Sequence, residues 1–381
     1  MKNLLAVIMV MLPIFATAKE VSGWIGTYTT SNGNPTGSTG LYSLSVNAAG
    51  ELREPALFVA TDNPSFVIQH PSGRYLYSVN ENSIAEGVDR VSAFELAQRG
   101  AAAPRLLGSV ASGGVDPCYI SLHPRNRWLF VANFGVKSSG SIAVLPVARD
   151  GSLGEAVQIL RPVGSGPVLP RQQRAHTHQL STTPDGRHVI AVDLGADKIF
   201  VFKFDERKGQ LSEHSSGTYS APAGSGPRHL VFTKDGHYAY VVTELNPGVI
   251  TLRWDARLGR FEQIAVTPSL PDDFVGRRSS AEIVLHPSQR FLYVSNRGDS
   301  NSITRFTIDV DRIPHREEST SSGGRMPRFI TTDPDGRFLL AANQATGEIV
   351  SFPLDASTGR LGAEISRVKV PAPVAITWDQ R

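Results

Sequence analysis

A short sequence recurs along this chain, six times in full and once divided between the two ends. The six complete copies cover residues 64–80, 117–133, 177–193, 227–243, 280–296 and 327–343. Their starts lie 47 to 60 residues apart, which is the period of a β-propeller blade. Because a propeller builds its binding site where its repeats differ, departures from the repeat point to candidate functional residues.

Each copy contains two apolar runs of strand length on either side of a turn. The turns read Pro-Ser-Gly-Arg at 71–74 and Pro-Asp-Gly-Arg at 184–187 and 334–337. Proline suits the first central position of a turn and glycine the position with positive φ, which predicts a β-hairpin. A third apolar run, such as 199–205, and a weaker fourth run follow. Each unit is therefore predicted to be a blade of four antiparallel strands.

The seventh unit is divided between the two ends of the chain. Residues 23–29 match a second strand and 40–52 a third, but no first strand precedes them. Residues 373–378 resemble the first strand at 64–69. Pairing the terminal strands in one blade removes open sheet edges. We therefore predict an all-β, seven-bladed β-propeller with four-stranded antiparallel blades, the last closed by the N- and C-terminal strands.

The first residues have the features of a signal peptide. Lys2 supplies a positive start, residues 4–15 an apolar core, and Ala16-Thr-Ala18 a small-residue cleavage site. The apolar run is too short to span a membrane as a helix. We predict a signal peptide at 1–18, cleavage after Ala18, and a single propeller domain at 19–381. The expected location is the periplasm, with no stable membrane anchor after cleavage.

Charge and composition exclude some partners. The net charge of +3 is small for 381 residues, and no block of Lys and Arg is present, so nucleic acid is not an expected partner. The local clusters at Arg171, Arg174, Arg277 and Arg278 are interpreted as solvated loop charges. The sequence does not indicate an oligomeric state.

The repeats differ most at one end of the predicted hairpin. The second position of the first strand is occupied by Ser65, Cys118, His178, Arg228, Ala281, Arg328 and Val374. The third position is occupied by Phe66, Tyr119, Gln179, His229, Glu282, Phe329 and Ala375. The second position past the second strand, or its equivalent, is occupied by Glu81, Phe134, Leu194, Glu244, Arg297, Gln344 and Thr29.

These positions are predicted to surround one mouth of the central channel. The start of the first strand and the end of the second lie side by side in an antiparallel hairpin, and the first strand is innermost in a propeller. Charged side chains from the third to the sixth copies should therefore converge: His178, Arg228, Glu244, Glu282, Arg297 and Arg328. Grouping charges near a half-buried channel is costly unless they pair or bind a ligand.

Two interpretations of this cluster remain open. The arginines could pair with Glu244 and Glu282 and simply fill the channel, or the cluster could bind a polar, anionic or polyhydroxylated small molecule. Of His176 and His178, we expect only one to reach the mouth, and the register with Arg228 favours His178. Asp193 replaces a repeat Asn and could serve only to orient its loop.

No motif for a metal or a nucleophile is present. The carboxylates are scattered, there is no His-Glu-x-x-His, and Cys118 has no partner cysteine. A Gly-x-Ser-x-Gly motif is also absent. We therefore predict no metal and no other cofactor.

Several phrases resemble the seven-bladed β-propeller lactonase family over essentially the whole predicted mature chain. They include Gly26-Thr-Tyr-Thr29, His176-Thr-His178, Gly226-Pro-Arg-His229, Thr243-Glu-Leu245 and Ser295-Asn-Arg-Gly298. The family includes propeller-type bacterial 6-phosphogluconolactonases, and fungal carboxymuconate lactonizing enzymes share its fold. The resemblance implies a metal-free active site lined by His178, Arg228, Glu244 and Arg297. The remaining candidates for substrate binding are His176, His229, Glu282, Arg328, Asp193 and Gln344.

The resemblance and the predicted export together indicate a periplasmic lactonase that hydrolyses D-glucono-1,5-lactone to gluconate. Water would attack the carbonyl, with Glu244 or His178 as general base and Arg228, aided by Arg297, stabilising the oxyanion. Glu282 and Arg328 would hold sugar hydroxyls or adjust the pKa of the base. Three alternatives remain: hydrolysis of 6-phosphogluconolactone, lactonization or isomerisation of muconates, and a non-enzymatic binding scaffold.

Overall fold

A computed structural model describes residues 20–82, 89–96 and 104–380 of the chain. The predicted signal peptide at 1–18 lies outside the described residues. Among the described residues, no helix has the length and apolarity needed to cross a bilayer. Apart from a single 3₁₀ turn at Ser215–Gly217, the regular structure of these residues consists of β-strands.

Seven antiparallel sheets form the blades of a propeller, as the repeat predicts. From blade 1 to blade 7, the innermost strands are Pro373–Trp378, Val67–Gln69, Pro117–Leu122, Thr177–Thr182, Pro227–Phe232, Arg278–Leu285 and Pro327–Thr332. The second strands are Val21–Thr27, Tyr75–Asn80, Trp128–Asn133, His188–Asp193, Tyr238–Thr243, Phe291–Gly298 and Phe338–Asn343.

The outer half of each blade completes the four strands. The third strands are Gly40–Val46, Arg90–Glu95, Ser141–Pro146, Lys198–Asp205, Gly248–Asp255, Ser302–Ile308 and Glu348–Pro353. The outermost strands are Leu57–Ala60, Arg105–Ala111, Gln158–Leu160, Gln210–Glu213, Arg260–Pro268, Pro314–Ser321 and Ser366–Lys369. Outside this pattern lie the hairpin formed by Thr30–Ser31 with Asn34–Pro35, and the short strand Tyr219–Ser220 that pairs with blade 4.

The turns between the first two strands of a blade have the predicted conformation. Gly73, Gly186 and Gly336 have φ of +71°, +70° and +71°. This left-handed region is open to glycine without the steric cost that a Cβ would add. The hairpin predicted from the Pro-x-Gly-Arg turns is therefore confirmed.

The ring closes through blade 1, where the two ends of the chain pair. Strand Val21–Thr27 lies antiparallel to Pro373–Trp378, with Ile25 opposite Ile376. The innermost strand of each blade lies next to that of the following blade, and blade 7 contacts blade 1. The predicted closure by terminal strands is confirmed.

The hydrophobic core lies between neighbouring blades. One cluster joins Phe130 of blade 3 to Leu180 and Phe202 of blade 4. Another joins Ile190 of blade 4 to Val241 of blade 5. Burying each such side chain contributes about 1.5–3 kcal/mol, so every blade stabilises its two neighbours.

Candidate active site

A β-bulge at the start of the innermost strand positions the residues at the channel. In blades 3, 4, 5 and 7 the pairing with the second strand skips one residue, and the residues skipped are Cys118, His178, Arg228 and Arg328. In blade 6 the irregularity covers Ala281 and Glu282. A bulge leaves its extra residue out of the ladder and redirects its side chain, here into the channel.

The redirected side chains line one small cavity. Its lining consists of Ser65, Phe66, Glu81, Cys118, His178, Arg228, His229, Glu282, Arg328, Phe329 and Val374. The lining includes the aromatic rings of Phe66 and Phe329, whose centroids are 6.3 Å apart, and the Phe66 ring also lies 4.2 Å from that of Tyr119. The centre of a water molecule can occupy a volume of about 10 Å³ in this cavity, so there is room for roughly one water.

A chain of three side chains crosses from blade 4 to blade 6. Nδ1 of His178 lies 3.1 Å from Nε2 of His229, and Nδ1 of His229 lies 2.9 and 3.0 Å from the two carboxylate oxygens of Glu282. The Glu282 carboxylate accepts only, so Nδ1 of His229 carries the proton and donates. Nε2 of His229 then accepts from Nδ1 of His178. In the tautomer that this chain selects, Nε2 of His178 keeps its lone pair.

The environment keeps both histidines neutral. Burial lowers the pKa of His178 well below its ordinary value of 6.5, and the charge of Arg228 lowers it further. Burial also lowers the pKa of His229, and the nearby Glu282 carboxylate opposes this shift only in part. A neutral His178 has the protonation state that a general base needs.

Glu244 lies at the centre of three guanidinium groups. Its Oε2 is 2.8 Å from Nη2 of Arg297 and 3.2 Å from Nε of Arg228, and its Oε1 is 2.5 Å from Nη2 of Arg171. Arg228 is 2% exposed and also donates from Nη1 to the carbonyl oxygen of Ala281 at 2.6 Å. Three cations around one carboxylate leave a net positive charge at this side of the mouth.

The ion pairs dominate the titration of Glu244. Burial by itself raises the pKa of this carboxyl, but Arg297, Arg171 and Arg228 outweigh it and lower the pKa to about 2. Burial and the neighbouring cations Arg297 and Arg328 lower the pKa of Arg228 to about 9, so its guanidinium stays charged at neutral pH. Glu244 is therefore a weak proton acceptor and a firm anchor for the arginines.

The sequence interpretation of Arg171 as a solvated loop charge is wrong, because its guanidinium pairs with the buried carboxylate of Glu244. Its side chain is 40% exposed and lies over the Phe134 ring, with the guanidinium carbon 5.2 Å from the centroid. The adjacent Gln172 is buried and fixes the loop, donating to the carbonyl of Leu194 and accepting from the N–H of Val168. Arg171 lies outside the repeats, so no comparison of repeat positions could identify it.

The partner of Glu282 differs from the sequence interpretation in which arginines pair with both Glu244 and Glu282. Glu244 does pair with Arg228 and Arg297. Glu282, however, is bound by His229. The cluster therefore contains a separate histidine chain in addition to an ion-pair network.

A second acidic group lies on the blade 1 and blade 2 side of the channel. Glu81 accepts a hydrogen bond from the Tyr28 hydroxyl at 2.8 Å and another from Ser65. Tyr28 in turn accepts from Nη2 of Arg328 at 3.0 Å, and the Arg328 guanidinium lies 5.4 Å from the Tyr28 ring centroid. Sequence reasoning chose Arg328 but not Tyr28, Ser65 or Glu81, although Glu81 occupies the same repeat position as Glu244.

Three other candidate residues, His176, Asp193 and Gln344, are not among the residues that line the cavity. His176 stacks on Phe134, and its Nδ1 lies 2.8 Å from the Phe134 carbonyl oxygen. Asp193 accepts from the backbone N–H of His176 and Ala196 and from the Thr177 hydroxyl, a pattern that orients its loop. Oε1 of Gln344 is buried without a hydrogen-bond partner among the described residues. The roles of these three residues in substrate binding stay predictions.

Metal ligands do not cluster in the part of the chain that the structure describes. Within residues 20–82, 89–96 and 104–380, no group of three or more His, Cys, Asp and Glu side chains has an arrangement suited to a metal ion. The absence of a metal requirement stays a prediction.

Comparison with known proteins identifies the family. Residues 22–378 match the family model described as lactonase, 7-bladed beta-propeller. The chain belongs to the seven-bladed β-propeller lactonase family. This membership supports a lactone-hydrolysing activity and agrees with the resemblance noted from the motifs.

Lactonase relatives match this chain along nearly their whole length. A 6-phosphogluconolactonase of Bacillus subtilis is 36% identical over 93% of this chain and 97% of its own. A 6-phosphogluconolactonase of Formosa agariphila is 30% identical over 85% of this chain and 90% of its own. The structure of the Pseudomonas aeruginosa periplasmic gluconolactonase PpgL superimposes with a TM-score of 0.88, at 33% identity, covering 95% of this chain and 99% of that chain.

Proposed function

We propose that this lactonase acts in the periplasm and hydrolyses D-glucono-1,5-lactone to gluconate without a metal ion. The main support is the location of a neutral His178, connected to His229 and Glu282, beside the buried guanidinium of Arg228 in one cavity. A proton acceptor next to a fixed positive charge is the pairing that ester and lactone hydrolysis needs.

His178 is the proposed general base. Its Nε2 removes a proton from a water molecule as the water oxygen forms a bond to the lactone carbonyl carbon. The hydrogen bonds from His178 to His229 and from His229 to Glu282 stabilise the positive charge that develops on the imidazole. The narrow cavity has room for about one water beside His178, which supports this placement of the nucleophile.

Arg228 is the proposed oxyanion stabiliser. As water adds, the carbonyl oxygen gains a negative charge that the Arg228 guanidinium offsets, with Arg297 adding to the field. When the tetrahedral intermediate collapses, the bond from the carbonyl carbon to the ring oxygen breaks. The His178 imidazolium returns its proton to that oxygen, and the new carboxylic acid ionises to gluconate.

Glu244 has an anchoring function in this proposal. Sequence reasoning left Glu244 and His178 as alternative bases, and a carboxyl with a pKa of about 2 is the weaker proton acceptor of the two. Its bonds to Arg228, Arg297 and Arg171 would instead hold the guanidinium groups in place.

The predicted signal peptide and the Pseudomonas aeruginosa neighbour support the choice of substrate and location. Periplasmic glucose oxidation produces the unphosphorylated lactone, which an exported enzyme would meet. The Bacillus subtilis relative favours a second candidate, 6-phosphogluconolactone, because that protein is named for the phosphorylated substrate.

The proposal is tested by measuring hydrolysis of D-glucono-1,5-lactone after EDTA treatment, with spontaneous hydrolysis subtracted. We expect acceleration that survives chelation and is lost in His178→Gln, whereas substitution of the exposed His237 by Gln leaves the rate unchanged. Activity only on the phosphorylated lactone would favour the second candidate. Failure with both lactones would favour the non-enzymatic scaffold.

A further inference from the structure

The mouth of the channel differs in charge from one side to the other. On the side of blades 5 and 6, Arg171, Arg228 and Arg297 surround Glu244. On the side of blades 1 to 3 there is a cleft of about 1050 Å³, which adjoins the inner cavity at Glu81. It is lined by Tyr28, Thr30, Ser31, Asn32, Gly33, Asn63, Glu81, Asn82, Val115, Asp116, Val136, Lys137 and Ser138.

The lining of this cleft suits neutral hydroxyl groups better than a phosphate. Among the described residues that line the cleft, the charged side chains are those of Glu81, Asp116 and the exposed Lys137. Phosphate sites usually present converging Arg or Lys side chains. Lys137 lies on the exposed rim, where water and salt weaken its field. The nearby guanidinium of Arg328 is directed at the Tyr28 hydroxyl, which itself donates to Glu81.

Glu81 has hydrogen-bonding capacity left for a ligand. Burial raises the pKa of the Glu81 carboxyl, whereas the charge of Arg328 and the hydrogen bonds from Ser65 and Tyr28 favour its ionised form. In that form the carboxylate has about four acceptor sites, and among the described residues Tyr28 and Ser65 each use one. Both donors hold the carboxylate in a fixed orientation at the junction of cleft and cavity. Two further hydroxyl groups, such as neighbouring hydroxyls of a sugar, could donate to the remaining sites.

We propose that Glu81, oriented by Tyr28, is a specificity-determining residue that receives the hydroxylated tail of the substrate and disfavours a phosphate there. This inference rests on the proposed function, because it assumes that the carbonyl end lies against the arginines of the opposite side. A phosphorylated tail would then bring a dianion towards the Glu81 and Asp116 carboxylates, and like charges repel strongly in a partly buried site.

The experiment measures binding and turnover in parallel with the purified full chain. Calorimetry gives the affinities for gluconate and 6-phosphogluconate, and kinetic assays give kcat/KM for the two corresponding lactones. The variants are Glu81→Gln, which removes the charge at constant size, and the control Glu95→Gln on the outer part of blade 2, where Glu95 pairs with Arg105.

We expect wild-type protein to prefer gluconate over 6-phosphogluconate by about tenfold or more, as expected for a buried like-charge contact. Glu81→Gln should reduce this preference by a similar factor, and Glu95→Gln should not change it. If Glu81→Gln does not fold, Glu81→Asp should retain the preference while weakening gluconate binding several-fold, because the shorter side chain retracts the acceptor.

Several results would overturn the inference. These are an unchanged preference in Glu81→Gln, an unchanged gluconate affinity in Glu81→Asp, a wild-type preference for the phosphorylated acid, or no binding of either acid. Hydrolysis of the unphosphorylated lactone without this discrimination would leave the proposed function standing and remove the role of Glu81. Discrimination between the acids without hydrolysis of either lactone would overturn the proposed function and leave the role of Glu81 in binding.

Discussion

Nδ1 of His178 lies 3.1 Å from Nε2 of His229, which links blade 4 to blade 5 at the wall of the cavity. His229 is itself fixed by the carboxylate of Glu282 from blade 6. Three neighbouring blades thus determine which nitrogen of His178 carries the proton. A partner that fixes the tautomer of a histidine is as much a part of its chemistry as the ring itself.

Substitutions along this chain should have graded effects on turnover. His178→Gln removes the proposed base and should lower kcat by about 10²–10⁴-fold. Glu282→Gln leaves the base but weakens its orientation, so a decrease of about 10–100-fold is expected. Steady-state rates above the spontaneous reaction test both values. Full activity in His178→Gln would exclude it as the base.

The pH dependence of kcat should follow His178. Burial and the charge of Arg228 lower its pKa well below the ordinary value of 6.5. Only the neutral ring accepts a proton, so activity should remain constant as the pH falls to 6.5 and decrease only under more acidic conditions. A pH–rate profile checks this expectation. A decline centred at or above the ordinary value would contradict it.

Arg228→Gln should reduce turnover more than it reduces substrate affinity. The loss of one donor to an oxyanion costs about 3 kcal/mol of transition-state stabilisation, which corresponds to a decrease in kcat of about 10²–10³-fold. Arg174→Gln is a suitable control, since Arg174 contacts the backbone of Lys137 and lies outside the group of arginines that bind Glu244. A change confined to KM would assign Arg228 to ground-state binding.

Glu244 should contribute to stability in a pH-dependent way. Its pKa of about 2 in the folded protein lies below the ordinary 4.5, so its stabilising effect is fully present above 4.5 and is lost as the pH falls towards 2. Glu244→Gln leaves buried cations without their partner and should lower the free energy of unfolding by about 3–5 kcal/mol at neutral pH.

Denaturant unfolding of both proteins between neutral pH and acid measures this effect. The difference between wild type and Glu244→Gln should shrink as the pH falls below 4.5. Glu262→Gln, which affects an exposed pair with Arg253, should leave the unfolding midpoint unchanged. A difference that stays constant with pH would show that the ion pairs are not its source.

Closure of the ring should be sensitive to one glycine. A Cβ at Gly23 would lie 2.1 Å from the carbonyl oxygen of Thr377, so Gly23→Ala should displace the C-terminal strand. We expect a decrease in the free energy of unfolding of about 1–3 kcal/mol or more, the usual range for overpacking. Ser22→Ala, at an exposed neighbouring position, is the control. Equal midpoints would show that the strand adjusts freely.

Much of the fold could be predicted because the information is local. The Pro-x-Gly-Arg turn specifies a hairpin, apolar runs specify strands, and the repeat counts the blades. The likeness of 373–378 to 64–69 was sufficient to predict closure. Comparison of repeat positions also identified His178, Arg228, Glu244 and Arg297, which the structure brings to one mouth.

The sequence by itself determined the blades, their number and the ring of positions around the channel, because each depends on patterns within a single repeat. Only the tertiary structure decided how the charges pair. Arg171 reaches Glu244 from a loop between blades, and Glu282 binds His229 instead of an arginine. These contacts depend on the bulges and on the distances between blades in the closed ring, which no single repeat encodes.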